Sequence, residues 1–161
     1  MYDQVFKTIY IGSMDALNPK AAELFGFEVL PFVAAVRLDR VSMLSSPSPD
    51  GMDALEVPIE DGKPVPDGVF SQVTAFIHHH VQAGDTILVQ CQAGISRSVT
   101  MVLAYLIEYE AMTLQEAYKL IYEQRPGSRP HKALLRSLIV HYDLPYDPRT
   151  TENPAFFQNL L

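Results

Sequence analysis

The stretch from Thr86 to Glu110 constrains the fold more than any other part of the chain. Thr86 to Gln90 (TILVQ) is a short continuous apolar run, which is typical of a central parallel strand. After a loop that starts at Cys91, the segment from Ser98 to Glu110 is apolar almost all round, which predicts a helix at the domain centre. A strand that is apolar on both faces and a helix that is apolar all round must both be covered by other helices or strands. We therefore expect an α/β fold with a small central mixed or parallel sheet flanked by helices.

Strand and helix signals alternate along the rest of the chain. Asn18-Pro19 marks a helix start and Gly26 marks its end. Thr113-Leu-Gln-Glu116 is a capping-box pattern that opens another helix. The remaining predicted elements are strands at 5–11, 27–30, 33–38 and 54–59, helices at 18–26, 68–82, 113–124 and 130–142, and loops at 45–51 and 60–67.

The acidic balance of the chain disfavours some classes of partner. Twelve basic and nineteen acidic residues give a net charge of −7, whereas proteins that bind nucleic acid or anionic membranes normally carry the opposite excess. The single cysteine, Cys91, cannot form an internal disulfide or a four-cysteine zinc site. The sequence shows no leader pattern in its first ten residues and no apolar run long enough to span a membrane. We expect a cytoplasmic protein without nucleic-acid or membrane partners, and a monomer by default.

The loop after the central strand has the composition of an anion-binding site. From Cys91 to Ser98 it reads CQAGISRS, with two very small residues and an arginine ahead of the helix. Small residues let a loop curl until several backbone N–H groups converge on a phosphate. The helix N-terminus adds about half a positive charge, and Arg97 adds a planar two-donor fork. The same field favours a thiolate at Cys91, which would be a nucleophile in line with a bound phosphorus.

A lone cysteine is more often a small residue that fills space in a core. At Cys91 the preceding strand, the Ala-Gly pair, the serine after Arg97 and the buried helix together favour the functional interpretation.

The same loop resembles the signature loop of the dual-specificity protein tyrosine phosphatases, especially the MAP-kinase phosphatase branch. Residues 9–16 (IYIGSMDA) resemble the first strand of that family, 58–61 (PIED) its general-acid loop, and 124–138 its closing segment. The resemblance implies a phosphatase catalytic domain over residues 1–146, with a C-terminal tail over 147–161.

The resemblance also implies a role for each matching residue. Cys91 would attack phosphorus, Ser98 would hydrogen-bond the Cys91 sulfur, and Asp61 would protonate the leaving oxygen. No metal and no cofactor are implied, because arginine and loop amides supply the electrostatic stabilisation. The phosphate would be held by Gln92, Ala93, Gly94, Ile95, Ser96 and Arg97.

Three carboxylates compete for the role of the acid. Glu60, Asp61 and Asp67 all lie in one loop, and a carboxylate in such a loop is usually just solvated. Asp61 is preferred because it lies 30 residues before Cys91, as in the family pattern, and follows a predicted strand end. Glu60 is the alternative.

Two positions depart from the family pattern. Gln90 stands where the family usually has histidine, and it keeps hydrogen-bonding capacity but cannot carry a charge. We predict a working nucleophile whose thiolate is less favoured than usual. His131 stands where the family often has asparagine, and it either replaces that bonding or simply begins a helix.

The resemblance implies a phosphorylated protein as substrate, carrying phosphotyrosine with phosphothreonine or phosphoserine. Two alternatives remain open: a pseudophosphatase-like module that binds phosphate without turnover, and a phosphatase for a lipid or RNA 5′-end monoester. Arg125, Arg129 and Lys132 form a modest basic cluster that attracts substrate or is merely solvated. A metal site at 78–80 (HHH) is disfavoured, because three consecutive helical side chains diverge.

Overall fold

The computed structural model describes residues 1–145, in which a five-stranded sheet is flanked by helices. The strand order is β1-β2-β5-β3-β4, with β1 antiparallel to β2 and the other pairs parallel. This mixed sheet confirms the predicted α/β fold class. The strands are β1 (Tyr2–Phe6), β2 (Ile9–Gly12), β3 (Ala34–Arg37), β4 (Asp53–Glu56) and β5 (Ile87–Gln90). The helices are α1 (Pro19–Phe25), α2 (Arg40–Ser45), α3 (Val69–Ala83), α4 (Arg97–Tyr109), α5 (Leu114–Gln124) and α6 (Lys132–His141).

The central strand β5 is buried on both faces, as its composition predicts. Ile87 and Val89 face a large core that includes α3, α4, α5 and α6, whereas Leu88 faces a smaller core with Phe32 and Ala35. Helix α4 lies inside the large core, with every residue from Ser98 to Leu106 buried. The strand and the helix that bracket the Cys91 loop are therefore both enclosed in the core, and they fix its ends.

Local capping signals are confirmed. Asn18 Oδ1 accepts hydrogen bonds from the N–H groups of Lys20 and Ala21, and Gly26 ends α1 in the left-handed conformation. Thr113 and Glu116 form the complete capping box at α5. The sequence-predicted boundaries of α3 and α4 differ from the structure by only one residue at each end.

Three predictions of secondary structure are wrong. The single strand at 5–11 is a hairpin, because Lys7 adopts a positive φ of 45° and reverses the chain between β1 and β2. The segment 27–30 is not a strand, because the Phe27 N–H donates to Ala22 O and closes α1 instead. The strand predicted at 54–59 ends at Glu56, because Pro58 has no N–H with which to extend the ladder.

Helix α2 was not predicted, and a buried arginine holds it in place. Arg37 is fully buried at the end of β3, and its Nη2 donates to the carbonyls of Ser42 and Ser46. Asp39 caps the helix through the Ser42 N–H at 2.8 Å. Such a short helix depends on these tertiary partners more than on its own sequence.

Within residues 1–145 the structure contains no helix that is both long and apolar enough to cross a membrane. The predicted tail, 147–161, lies outside the described residues, so the boundary at 146 stays a prediction.

Candidate active site

The Cys91 loop lies at the carboxyl end of the central strand, between the ends of two parallel neighbours. Gln90 pairs with Gly12 on β2 and with Arg37 on β3, and the Cys91 N–H continues to Gly12 O at 3.3 Å. Helix α4 begins six residues later, at Arg97. This is the edge of a parallel sheet where ligands characteristically bind.

The backbone of the loop has its carbonyls and its amides in different environments. The carbonyl of Gln92 accepts from Met14 N at 3.0 Å, that of Gly94 from Arg125 Nε at 2.7 Å, and that of Ile95 from Arg129 N at 2.7 Å. In contrast, none of the six N–H groups of residues 92–97 donates to another residue in the described part of the chain. Because these carbonyls are hydrogen-bonded to neighbouring segments and the N–H groups have no acceptor, the loop has the pattern of an anion-binding nest at a helix N-terminus.

Gly94 and Arg125 allow the loop to curl this tightly. Gly94 has a φ of +69°, and a Cβ at this position would lie 2.7 Å from the backbone C and O of Gly12. On the other side, Arg125 donates to the Gly94 carbonyl and forms an ion pair with Asp3 on β1. Arg125 is therefore neither a solvated residue nor free to attract substrate, the two alternatives that the sequence leaves open, because its largely buried guanidinium is bonded to the loop and to Asp3.

Cys91 and Ser98 face each other at the base of the loop. Cys91 is only 2% exposed, and its Sγ lies 3.3 Å from the Ser98 Oγ, in the first turn of α4. A hydroxyl at this distance can donate to a thiolate and stabilise its charge. The two residues paired by the resemblance are thus in contact.

Arg97 extends from the start of α4 toward the acid loop. Its Nη1 donates to the Ile59 carbonyl at 3.1 Å, and its buried Nε has no hydrogen-bond partner within residues 1–145. A buried guanidinium nitrogen without a partner is costly. An oxyanion at the loop would be a suitable acceptor for this nitrogen.

Of the candidate acids, Asp61 is held against the loop. Its Oδ1 accepts from Ser96 Oγ at 2.6 Å. Glu60 instead pairs with Lys63 at 2.6 Å on the exposed surface, and this Lys63 hydrogen bond holds the pKa of the Glu60 carboxyl below its usual value. Asp67 lines a separate cavity of about 450 Å³ between its loop and α6.

The two departures from the family pattern both have structural partners. Gln90 is fully buried, and its Nε2 donates to the carbonyls of Ser13 at 3.2 Å and Met14 at 3.4 Å. The His131 side chain serves as a helix start: its Nδ1 caps α6 by accepting from Ala133 N at 3.1 Å, while the bond to Ser96 Oγ at 3.0 Å comes from the backbone N–H of His131.

The three consecutive histidines of α3 do not converge. His78 stacks on Tyr109 with ring centroids 4.0 Å apart, whereas His80 is buried between Asp85 and Asp53. Residues 1–145 contain no group of three histidine, cysteine or acidic side chains arranged to hold a metal ion.

Comparisons with known proteins agree on one family. The model of the dual specificity phosphatase catalytic domain matches residues 9–143. The chain is 28% identical over 149 residues to dual specificity protein phosphatase 2 of Mus musculus, covering 86% of this chain and 44% of that protein. It is 31% identical over 144 residues to dual specificity protein phosphatase 18 of Pongo abelii, covering 87% and 71% respectively.

The chain spans less than half the length of several of the curated relatives that it matches. Besides the mouse protein, a putative tyrosine phosphatase 123R of Invertebrate iridescent virus 6 shares 37% identity over 67 residues, which is 42% of this chain and 47% of the viral protein.

Solved structures share the fold. Human DUSP28 superposes with a TM-score of 0.72 at 23% identity, over 88% of this chain and 93% of that one. The human tyrosine phosphatase-like serine/threonine/tyrosine-interacting protein gives a TM-score of 0.74 at 20% identity, over 88% and 95%. Because the family model covers most of the chain and the fold agrees, this chain belongs to the dual specificity phosphatase catalytic-domain family.

Proposed function

We propose that this chain hydrolyses phosphate monoesters on proteins, acting on phosphotyrosine and on phosphoserine or phosphothreonine through a phosphocysteine intermediate. The observation that carries the proposal is the loop of residues 92–97, whose six N–H groups have no acceptor in the described structure while the sulfur of Cys91 lies at its base. A tetrahedral dianion is the ligand that satisfies such a set of donors.

In the first step the Cys91 thiolate attacks phosphorus, so that an S–P bond forms as the P–O bond to the substrate breaks. Asp61 gives its proton to the leaving oxygen. The equatorial oxygens are held by the amides of residues 92–97 and by the Arg97 guanidinium, which gain strength as charge develops. Family membership and the contact between Asp61 and the loop support these roles.

In the second step water attacks the phosphocysteine. Asp61, now ionised, accepts a proton from that water, and the S–P bond breaks to release phosphate and the Cys91 thiolate. Ser98 Oγ, 3.3 Å from the sulfur, donates to it as it leaves.

The surroundings of the protein follow from the same chemistry. A reducing compartment protects a reactive thiolate from oxidation, which supports a cytoplasmic location. The phosphorylated protein is the partner we propose, with the chain acting as a monomer.

The test is turnover of p-nitrophenyl phosphate and of phosphotyrosine and phosphothreonine peptides, with wild type compared to Cys91→Ser. We expect release of phosphate by wild type and none by the variant. A rapidly quenched wild-type reaction should show the mass of one added phosphoryl group, and peptide mass spectrometry should locate that group on Cys91, the only cysteine in the sequence.

Two outcomes would contradict the proposal. Wild type that binds phosphate or vanadate but turns over no substrate would be a binding module. Faster hydrolysis of inositol phospholipids or RNA 5′-phosphates than of phosphopeptides would identify a non-protein substrate.

A further inference from the structure

Ser96 contacts the proposed acid through its side chain, in addition to whatever its backbone contributes to the loop. The side chain is buried, and its Oγ has two partners: the His131 N–H at 3.0 Å and Asp61 Oδ1 at 2.6 Å. From this geometry we infer that Ser96 is a positioning residue, which holds Asp61 over the loop and determines which carboxyl oxygen carries the transferred proton. The inference rests on the proposed function, in which Asp61 is the acid.

The direction of the two hydrogen bonds follows from the chemistry of the groups. A backbone N–H can only donate, so the bond from His131 uses a lone pair of the Ser96 Oγ. The single hydroxyl proton of Ser96 then points to Asp61 Oδ1, which is the acceptor.

This direction persists when Asp61 is protonated. If the acid proton were on Oδ1 and pointed at Ser96, the buried serine proton would have no acceptor among the described residues, which is unfavourable. The proton of the neutral acid therefore belongs on Oδ2. Oδ2 is the oxygen left to donate to the substrate.

Ser96 is suited to hold the exposed Asp61 carboxyl because its own backbone is fixed. Its carbonyl accepts both from Thr100 N and from Thr100 Oγ1, each at 2.9 Å. The neighbouring carbonyl of Ile95 accepts from Arg129 N, and His131 is the N-cap of α6. The serine hydroxyl thus has a defined position set by α4 and α6.

The acid loop, by contrast, is exposed and is held at few points. Asp61 itself is exposed. The next residue, Gly62, has a φ of +81° and packs against the His131 ring: a Cβ built on Gly62 would lie 3.6 Å from His131 Cε1. Ser96 supplies the hydrogen bond to the carboxyl, and His131 supplies the packing surface beneath the next residue. Loss of the Ser96 hydroxyl should leave the backbone amides of the phosphate site in place, but the Asp61 carboxyl would lose the hydrogen bond that positions it.

The decisive test is the dependence of the rate on the leaving group in Ser96→Ala. Phenol is a poor leaving group that needs protonation, whereas p-nitrophenol needs it much less. We expect kcat/KM for phenyl phosphate, which reports only the steps up to formation of phosphocysteine, to fall about tenfold or more, as part of the full contribution of a general acid. For p-nitrophenyl phosphate we expect a smaller loss of kcat/KM, and the affinity for inorganic phosphate should be nearly unchanged because the Ser96 N–H remains.

Two further variants separate positioning from general damage. Ser96→Thr keeps the hydroxyl and should recover most of the phenyl phosphate activity. In an Asp61→Asn background, Ser96→Ala should cause no further loss. Equal losses for the two substrates, or an undiminished effect of Ser96→Ala when Asp61 is absent, would overturn the inference.

Backbone order parameters from NMR relaxation keep this inference distinguishable from the proposed function. If wild type shows no turnover, the proposed function fails, but Ser96→Ala should still lower the order parameters of the Asp61 and Gly62 N–H vectors without changing those of α3, and Ser96→Thr should restore them. Unchanged order parameters at Asp61 and Gly62 would overturn the positioning role, whatever the activity of the protein.

Discussion

Replacing Gly94 by alanine tests whether the loop depends on its close approach to β2. The substitution has two separate costs. At a φ of +69° an L-residue loses about 1–2 kcal/mol relative to glycine. The added Cβ would also lie 2.7 Å from the backbone of Gly12 and 2.8 Å from Arg125 Nη2, and crowding of this kind typically costs about 1–3 kcal/mol. We therefore expect Gly94→Ala to lower the free energy of unfolding by about 2–5 kcal/mol.

Gly26 offers a matched control. Its φ is +70°, almost the same as that of Gly94, but an added Cβ would meet nothing within 4 Å. Gly26→Ala should therefore show only the conformational cost of about 1–2 kcal/mol. The difference between the two variants measures the crowding against Gly12 and Arg125.

Urea denaturation of the two variants and of wild type gives these free energies, and vanadate affinity reports on the loop. The crowded backbone must move, so we expect weaker vanadate binding in Gly94→Ala and wild-type binding in Gly26→Ala. Equal destabilisation by the two substitutions, or unchanged vanadate binding in Gly94→Ala, would refute the reasoning.

Three other predictions concern the buried polar groups. Gln90→His should move alkylation of Cys91 by iodoacetamide to lower pH, since a histidine can carry a positive charge at the residue next to Cys91; an unchanged or higher midpoint would contradict this. Arg37→Leu should lower the free energy of unfolding by about 3 kcal/mol in urea, because two carbonyls at α2 lose their donor; a loss within the error of the measurement would show that α2 does not depend on it. Burial raises the pKa of Tyr118 to about 12, so its folded form resists ionisation and stability should fall as the pH rises from 10 toward 12. The fall in urea midpoint should be smaller in Tyr118→Phe, and an identical fall would argue against a contribution from this residue.

Features encoded within a few residues could be predicted from the sequence. The caps of α1 and α5 depend on side chains that bond to their own helix, so Asn18, Gly26 and Thr113 signal the helix ends directly. The Cys91 loop is equally local, because its curl and its position before α4 follow from small residues between a strand and a helix.

Contacts between distant segments could not be predicted in this way. The supporting role of Arg125 depends on Gly94 and Asp3, which are 31 and 122 residues away in sequence. The bond between Ser96 and Asp61 likewise joins two loops that meet only in the folded sheet. Helix α2 went unrecognised for the same reason, since its carbonyls depend on Arg37 from the preceding strand.

The ion pair between Arg125 and Asp3 has a practical consequence for recombinant work. The family match begins at residue 9, so a truncated version trimmed to that boundary would lack β1 and with it the carboxylate that neutralises Arg125. The guanidinium behind Gly94 would then be free to swing away from the loop carbonyl. Expression plasmids that retain the first eight codons preserve the hydrogen bond from Arg125 to the Gly94 carbonyl, and a comparison of trimmed and untrimmed protein in vanadate binding would measure how much the loop depends on the edge strand.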